Sequence, residues 1–283
     1  MKLMIRAHDL GVKGEDDIVK KLCEWDLDGI QLVAYKSIDG VSYSQGSLTE
    51  GRAKQIAEAI RSAGKGIALI GAYFNPVHPT DDKAKHGEEM FKEYLSLSKS
   101  LGCSTVGSET GSFMGDPWGY HPDNRTDEAR ERVIKTFRSL ADYAKECGAS
   151  VAIEGAYNHV CYSPSVLSET VKGIGRDNVK VIFDLYNYLD ISNYTEAYSI
   201  LDEGHELFGG DILLYHLKDF TVSDGKLKQC AVGKGILDYE RILTEIYAHN
   251  KDATLVLEGT VGEDIPESVR FIRNITDKIL KDQ

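Results

Sequence analysis

The stretch Leu213–Phe220, "LLYHLKDF", bears most directly on how this chain folds. An apolar run of strand length leads straight into His216, Lys218 and Asp219, with no turn residue between them. Short apolar runs without strict alternation are typical of parallel strands that are covered on both faces. A strand that ends in ionisable groups either enters a solvated loop or delivers side chains to a functional site. The rest of the chain has to decide between these two interpretations.

The same pattern recurs along the chain and predicts eight strands. They are Lys2–Ala7, Gly29–Ala34, Gly66–Phe74, Cys103–Ser108, Ser150–Gly155, Val179–Asp184, Asp211–His216 and Ala253–Gly259. Six helical patterns accompany them, at residues 14–27, 49–66, 126–148, 164–175, 237–250 and 266–282. In the second of these, Thr49 is a candidate N-cap and Gly64 is a natural helix stop.

Strand and helix alternate without a linker rich in proline, glycine or serine, so we expect a single α/β domain over residues 1–283. The simplest architecture is one (β/α)8 TIM barrel. A doubly wound open sheet is the structural alternative. No glycine-rich fingerprint follows the first strand, and this favours the barrel.

Composition restricts the classes of partner. The formal net charge of −12 argues against a general affinity for nucleic acid or for an anionic membrane surface. The five cysteines show no CxxC spacing, which suggests reduced thiols and a cytoplasmic location. The N-terminus lacks a signal-peptide pattern, and no apolar run approaches the length of a membrane span. We therefore expect a small-molecule substrate, no nucleic acid and no membrane.

Four consecutive predicted strands each end in a potential metal ligand: Glu154, Asp184, His216 and Glu258. Singly, each could be a solvated, capping or hydrogen-bonded residue. Jointly, three carboxylates at the mouth of a barrel would repel one another without a cation, and active sites of this architecture form at that mouth. Oxygen-rich ligation with one imidazole suits Mn²⁺ best, with Mg²⁺, Co²⁺ or Zn²⁺ as alternatives.

Such a site suits proton transfer next to a carbonyl. A metal ion polarises a substrate carbonyl, and a positioned carboxylate removes the proton from the neighbouring carbon. Glu154 and Glu258 come from strands that are not neighbours, so they could face opposite sides of a substrate as acid and base. This is the logic of an epimerase or an aldose–ketose isomerase.

Polar and aromatic residues in neighbouring loops are candidate substrate contacts. They are His8 after strand one, Tyr73 after strand three, Trp118 in the loop after strand four and His159 after strand five. Arg6 and Glu109 also end predicted strands. The glycines around Lys234 resemble an anion-binding loop weakly, and a simple turn before a helix is the alternative.

The series "AIEG", "IFDLYN", "YHLKDF", "VGKG" and "VLEG" resembles the xylose isomerase-like TIM barrel superfamily, in particular its sugar phosphate isomerase/epimerase members. The resemblance covers essentially the whole chain. It implies that Glu154, Asp184, His216 and Glu258 bind one divalent ion. It also implies that Lys218 and Asp219 lie near the site, since the "HLKD" form is typical of this group, and we expect Lys218 to reach the substrate. Members of the family are often homo-oligomers.

The sequence departs from the family pattern at three places. Asn187 stands where many members carry a histidine three residues after the strand-six aspartate, and we expect it to orient the substrate together with His159 and Lys218. The loop after strand seven lacks the histidines of endonuclease IV, and the arginine of some ketose epimerases is missing. We therefore expect a metal-dependent sugar or sugar phosphate isomerase/epimerase. The alternatives are an inosose dehydratase-like lyase, an endonuclease IV-like AP endonuclease and a non-catalytic sugar-binding barrel.

Overall fold

The computed structural model describes residues 1–281. Its strands are β1 Lys2–Arg6, β2 Gly29–Leu32, β3 Gly66–Gly71, β4 Thr105–Glu109, β5 Ser150–Glu154, β6 Val179–Asp184, β7 Ile212–Leu217, β8 Asp219–Ser223, β9 Lys226–Cys230 and β10 Thr254–Leu257. Its helices are α1 Glu15–Glu24, α2 Ala34–Ser37, α3 Glu50–Ser62, α4 Asp81–Leu97, α5 Asp127–Glu146, α6 Pro164–Ile174, α7 Ala197–Phe208, α8 Tyr239–His249 and α9 Asp264–Lys281. Asp282, at the end of the predicted last helix, and Gln283 lie outside the described residues.

Eight of the described strands close into a parallel barrel in the order β1–β10–β7–β6–β5–β4–β3–β2. This confirms the (β/α)8 barrel and excludes the open sheet. The β2–β3 register depends on close backbone contact, because a Cβ on Gly29 would lie 2.1 Å from the carbonyl oxygen of Gly66. Only glycine allows that approach.

Apolar side chains fill the inside of the barrel. One buried cluster comes from six different strands: Met4, Leu69, Ala152, Ile182, Leu214 and Val256. A second and larger cluster lies between the strands and the surrounding helices. The barrel is therefore a packed core and not a pore. Polar chemistry is confined to the end where the strands finish.

Several details differ from the sequence-based expectation. Helices α4 and α7 were not predicted, and they complete the outer layer. In α7, a Cβ on Gly204 would lie 2.1 Å from the ring of Phe183, so this glycine lets the helix pack against β6. The hairpin β8–β9 was also not predicted, because beyond Asp219 and Phe220 its residues are exposed or half-buried and mostly polar. The Thr49 cap is confirmed, since its hydroxyl accepts a hydrogen bond from the Arg52 N–H.

Two further features concern the cysteines and the character of the helices. All five cysteines are unpaired. Among the helices of residues 1–281, none combines the length and the apolar character that crossing a membrane requires.

Candidate metal centre

The strand register brings four predicted side chains to the carboxyl-terminal mouth of the barrel. Glu154 and Asp184 are the last residues of β5 and β6, and His216 lies opposite Asp184 on β7. Glu258 directly follows β10, where its N–H donates to the Leu217 carbonyl at 3.1 Å. The four side chains therefore come from strands that are neighbours in the barrel. We call them the carboxylate cluster.

The geometry of the carboxylate cluster is compact. One donor atom from each residue lies within 4.8 Å of all the others, and all four residues are buried. His216 Nδ1 lies 3.0 Å from Glu258 Oε2, 3.2 Å from Glu154 Oε1 and 3.7 Å from Asp184 Oδ2. Glu154 Oε2 is buried, and no group in the described chain hydrogen-bonds to it. Oxygen donors that converge with one imidazole and leave a free lone pair fit a divalent cation.

The orientation of the His216 ring is set by a residue that the sequence analysis did not identify. Gln31 Oε1 lies 2.6 Å from His216 Nε2, and Gln31 Nε2 donates to the Tyr73 hydroxyl at 2.7 Å. The amide oxygen of Gln31 can only accept, so His216 Nε2 carries a proton. Nδ1 then faces the carboxylates, which is the orientation that a metal ligand requires.

In the protein without a cation, His216 itself compensates part of the negative charge. Burial lowers the pKa of its imidazole, but Glu154 and Glu258 outweigh this and raise the pKa to about 10. The ring then holds a second proton at Nδ1, directed at the carboxylates. A divalent ion at this position would replace that proton.

Two positively charged side chains, those of Lys218 and Arg6, lie on the Glu258 side of the carboxylate cluster. Lys218 Nζ lies 2.7 Å from Glu258 Oε1 and 2.9 Å from Asp184 Oδ2. Arg6 Nη1 lies 2.8 Å from Glu258 Oε1, and its Nε pairs with Asp9 at 2.9 Å. Burial alone would raise the pKa of Glu258, but Lys218, His216 and Arg6 hold it well below its usual range. Glu258 is therefore a stable carboxylate.

Glu154 lies in a different environment. Its Oε1 accepts a hydrogen bond from the neutral amide of Asn187 at 2.7 Å. Burial raises the pKa of its carboxyl group, and the nearby His216 opposes this only in part. Burial likewise raises the pKa of Asp184 to about 6 and that of Glu109 to about 7. The two glutamates thus differ in the charge that surrounds them.

Asn187 bridges the two sides of the site. Besides the bond to Glu154, its Oδ1 accepts from Lys218 Nζ at 2.9 Å, and its backbone N–H donates to Asp184 Oδ1 at 3.0 Å. Where relatives were expected to carry a histidine, this chain therefore places a side-chain amide that contacts Glu154 and Lys218.

A cavity of about 340 Å³ opens beside the carboxylate cluster and includes three of the predicted substrate contacts among its lining residues. They are Trp118, His159 and Asn187. The Trp118 and His159 rings are 5.7 Å apart in an edge-on arrangement, and His159 Nδ1 lies 3.7 Å from Glu109 Oε2. Burial lowers the pKa of His159 to about 4, so this ring is neutral. The cavity is the natural place for a substrate.

The remaining predicted contacts lie at the edge. His8 Nε2 lies 3.9 Å from Asp9 Oδ1, and the ion pairs described above for the carboxylate cluster do not include it. Tyr73 reaches His216 only through Gln31, and it lines a separate cavity of about 520 Å³. A wider surface depression, of about 980 Å³, lies along α3 and residues 99–102 and contains none of these residues. Size alone therefore does not identify the site.

The loop around Lys234 holds no free anion site. The N–H groups of Gly233, Gly235 and Leu237 donate to the Asp219 carboxylate at 3.1, 2.9 and 3.2 Å. Lys234 pairs with acidic residues of α9. The side chain of Asp219 occupies the place that a phosphate would take, so the loop is a structural turn.

The sequence contains a weak indication that Gln31 has a specific role. It is a polar residue inside the apolar run "GIQLVA", and it is fully buried. A buried amide in a parallel strand needs a partner. That this partner is the strand-seven histidine follows only from barrel closure.

Comparison with known proteins identifies the class. Residues 19–275 match the family described as xylose isomerase-like TIM barrel. This chain belongs to that family. D-psicose 3-epimerase from Agrobacterium fabrum (strain C58) is 25% identical over 188 residues, which cover 63% of this chain and 60% of that protein. The match thus spans less than two thirds of this relative.

Solved structures agree on the fold. A D-tagatose 3-epimerase-like protein superimposes with a TM-score of 0.76 at 16% identity, covering 100% of this chain and 99% of the other. The IOLI protein with a bound zinc atom superimposes with a TM-score of 0.73 at 17% identity, with the same coverage. At such identities the likeness establishes the fold, and the activity has to be argued from the site.

Proposed function

We propose that this protein is a divalent-metal-dependent sugar isomerase/epimerase that moves a proton on a carbon next to a carbonyl. The observation that carries the proposal is the carboxylate cluster, with four buried donor atoms within 4.8 Å of one another at the barrel mouth. The D-psicose 3-epimerase relative supports the same reaction class.

Glu154, Asp184, His216 and Glu258 would hold the ion. A bound divalent ion polarises the carbonyl and hydroxyl oxygens of a sugar and so acidifies the carbon-bound proton beside them. We propose Mn²⁺, because three carboxylates and one imidazole form an oxygen-rich donor set. The zinc in the IOLI structure makes Zn²⁺ the first alternative to test.

Glu154 and Glu258 form the acid–base pair of this proposal. Glu154 is the last residue of β5, and Glu258 directly follows β10. In the barrel, β6 and β7 lie between these two strands. Glu154 Oε1 and Glu258 Oε2 lie 3.2 and 3.0 Å from His216 Nδ1. We propose that a substrate bound above the imidazole meets one of these carboxylates on each face. One removes a proton and the other returns one, which inverts the carbon.

Lys218 and Asn187 orient the substrate from the side of the carboxylate cluster, and His159 and Trp118 do so from the cavity side. We assign His8 and Tyr73 to the outer edge of the same substrate region. We infer an unphosphorylated substrate, because Asp219 already occupies the glycine loop and Lys234 is paired with acidic residues.

The test begins with protein that has been dialysed against a chelator and supplied with Mn²⁺, Mg²⁺, Co²⁺ or Zn²⁺. A panel of ketoses and aldoses is then incubated with it in D₂O and followed by NMR. We expect deuterium on a substrate carbon only in the metal-loaded protein. Glu258→Gln should lose about 10²–10⁴-fold in exchange rate. The matched control Glu263→Gln, an exposed carboxylate in the loop just beyond, should keep the wild-type rate.

Three results would count against this assignment. Stoichiometric metal retained in both His216→Ala and Glu258→Gln would overturn the ligand set. No exchange across the panel in the metal-loaded protein would overturn the reaction class. A product whose mass is lower by one water molecule would show that the protein is a lyase and not an isomerase.

A further inference from the structure

One carboxylate at the mouth of the barrel, that of Glu109, has no role in the function proposed above. Glu109 is the last residue of β4 and lies opposite Glu154 of β5 in the parallel register. Its side chain is 21% exposed and lines the cavity of about 340 Å³ beside the carboxylate cluster. Within residues 1–281 this carboxylate accepts no hydrogen bond. A carboxylate that lines a cavity without a donor is available to a ligand.

The imidazole of His159 lies beside this carboxylate. Its Nδ1 is 3.7 Å from Glu109 Oε2, which is longer than a hydrogen bond. Nδ1 is buried and makes no hydrogen bond to any group of the described chain. Burial lowers the pKa of this ring to about 4, so the ring is neutral and one of its nitrogens carries the proton. An unpaired nitrogen and an unpaired carboxylate therefore lie on either side of a narrow gap.

The backbone around this gap is held in place by hydrogen bonds. The Val160 N–H donates to the Gly111 carbonyl at 3.1 Å, and the Cys161 N–H donates to Thr110 Oγ1 at 3.1 Å. These bonds join the residues that follow the glutamate to the residues that follow the histidine. The N–H of the histidine itself donates to the Ala156 carbonyl at 2.8 Å. The two side chains are thus carried by a fixed framework, as in a preorganised binding site.

The chemistry of the two atoms selects the group that fits between them. A hydroxyl oxygen can lie about 2.8 Å from both atoms, because they are 3.7 Å apart. The hydroxyl donates its hydrogen to Glu109, which accepts in either protonation state, and it accepts from His159 when Nδ1 carries the proton. A carbonyl or ether oxygen has no hydrogen to donate and would leave Glu109 unpaired. The gap therefore fits a hydroxyl group.

The gap lies next to the proposed metal centre. Asn187 lines the same cavity, and its amide donates to Glu154 Oε1 at 2.7 Å. Glu109 is the register partner of Glu154, and neighbouring strands are about 4.8 Å apart. A sugar held at the carboxylate cluster can therefore reach the gap with another of its hydroxyl groups.

We propose, resting on the function proposed above, that Glu109 and His159 together bind one hydroxyl group of the substrate and so determine which sugars are accepted. This hydroxyl is not one of the oxygens that contact the ion. A sugar that lacks it would leave a carboxylate and an imidazole nitrogen without partners. Sites that are built to hydrogen-bond a hydroxyl reject the analogue without it far more strongly than apolar pockets reject a change in size.

The experiment measures, by titration calorimetry on the metal-loaded full chain, the binding of the D-2-ketohexoses and of their monodeoxy derivatives. At one carbon position, removal of the hydroxyl should weaken binding to the wild type about 10–100-fold and binding to Glu109→Ala by no more than about threefold. His159→Phe should reduce the penalty at the same position. Glu109→Gln keeps an acceptor oxygen and should retain most of the penalty. Glu131→Ala, at an exposed glutamate of α5, is the matched control and should show the wild-type penalty.

Four results would overturn the proposal. The first is an equal penalty at every position in the wild type and in Glu109→Ala. The second is a penalty that falls at different positions in Glu109→Ala and His159→Phe. The third is the absence of measurable binding of every ketohexose to the wild type. The fourth is loss of the ion from Glu109→Ala, measured as metal content, because it would assign this residue to the metal and not to a hydroxyl.

The comparison stays separate from the test of the reaction. Thermal melting shows which variants are folded, and His159→Phe carries the same comparison if Glu109→Ala is not. Because binding is read without turnover, a failure of deuterium exchange would refute the proposed reaction and leave the deoxy penalties interpretable. Exchange with equal penalties in all variants would retain the reaction and refute the hydroxyl site.

Discussion

Asp219 and the carboxylate cluster both place negative charge in the protein interior, and the groups around them compensate this charge in opposite ways. Asp219 is fully buried and accepts hydrogen bonds from four backbone N–H groups at 2.8–3.2 Å, those of Phe220, Gly233, Gly235 and Leu237. The carboxylate cluster faces mainly charged side chains, and Glu154 Oε2 lacks a partner within the described chain.

This difference distinguishes a carboxylate that stabilises the fold from carboxylates that form a functional site. A carboxylate that is surrounded by backbone donors is fully compensated and needs no ligand. The Asp219 turn is built tightly for this purpose, since a Cβ on Gly235 would lie 2.0 Å from Asp219 Oδ1. In the carboxylate cluster Lys218, Arg6 and His216 offset part of the negative charge, but Glu154 Oε2 has no hydrogen-bond partner within residues 1–281. We propose that a cation completes this cluster.

The largest effect that this comparison predicts is on stability. Asp219→Ala should lower the free energy of unfolding by about 3–5 kcal/mol, because it removes charge-assisted hydrogen bonds and leaves buried N–H groups without partners. In metal-free protein, Glu154→Gln should change stability by no more than about 1 kcal/mol, because it relieves repulsion while it loses a contact. Urea unfolding of the chelator-treated variants measures both.

Asp219→Asn provides the control for this prediction, because it keeps one acceptor oxygen and should fall between the two. If Glu154→Gln destabilised the metal-free protein as much as Asp219→Ala, the distinction between a structural and a functional carboxylate would be lost.

A smaller effect is expected at Gln31, which links the carboxylate cluster to the barrel wall. Gln31→Leu should weaken metal binding about 10–100-fold, because His216 loses the acceptor that orients its ring. The affinity is measured by competition with a fluorescent chelator. Gln55→Leu, an exposed glutamine on α3, should leave it unchanged. Wild-type affinity in Gln31→Leu would show that packing alone orients the ring.

The smallest effect concerns His205, a half-buried and uncharged imidazole. Within residues 1–281 its Nε2 makes no hydrogen bond, and its ring stacks on that of His249 with the centroids 4.4 Å apart. Burial, reinforced by His249, lowers the pKa of His205 to about 4. Its ordinary pKa is about 6.5, so the unfolded chain binds the extra proton first.

Stability attributable to His205 is therefore complete above about pH 6.5 and is lost as the pH falls toward 4. Because the ring is partly exposed, we expect the loss to be on the order of 1 kcal/mol. Unfolding curves at a series of pH values, compared between wild type and His205→Leu, measure it. An identical pH slope in both proteins would exclude His205 as its source.

Much of this architecture could be predicted because it rests on local patterns. Short apolar runs predict the eight barrel strands, and the residues at the ends of four of these strands predict the carboxylate cluster. Helices α4 and α7 were missed although their buried faces are apolar, and α7 carries Gly204 where only contact with Phe183 explains a glycine. The hairpin β8–β9 was missed because most of its residues are polar and not buried, so it lacks an apolar pattern.

The sequence by itself determined the alternation of strand and helix, the closed barrel that follows from it, and the four donor residues at the strand ends. Only the tertiary structure decided which polar residues meet. Gln31 and His216 are 185 positions apart and touch because the barrel closes. Asp219 fills the glycine loop, and Trp118 lines two separate cavities, for the same reason. Hydrogen bonds and charge pairs depend on distances of about 3 Å, and the order of residues along a chain does not specify such distances.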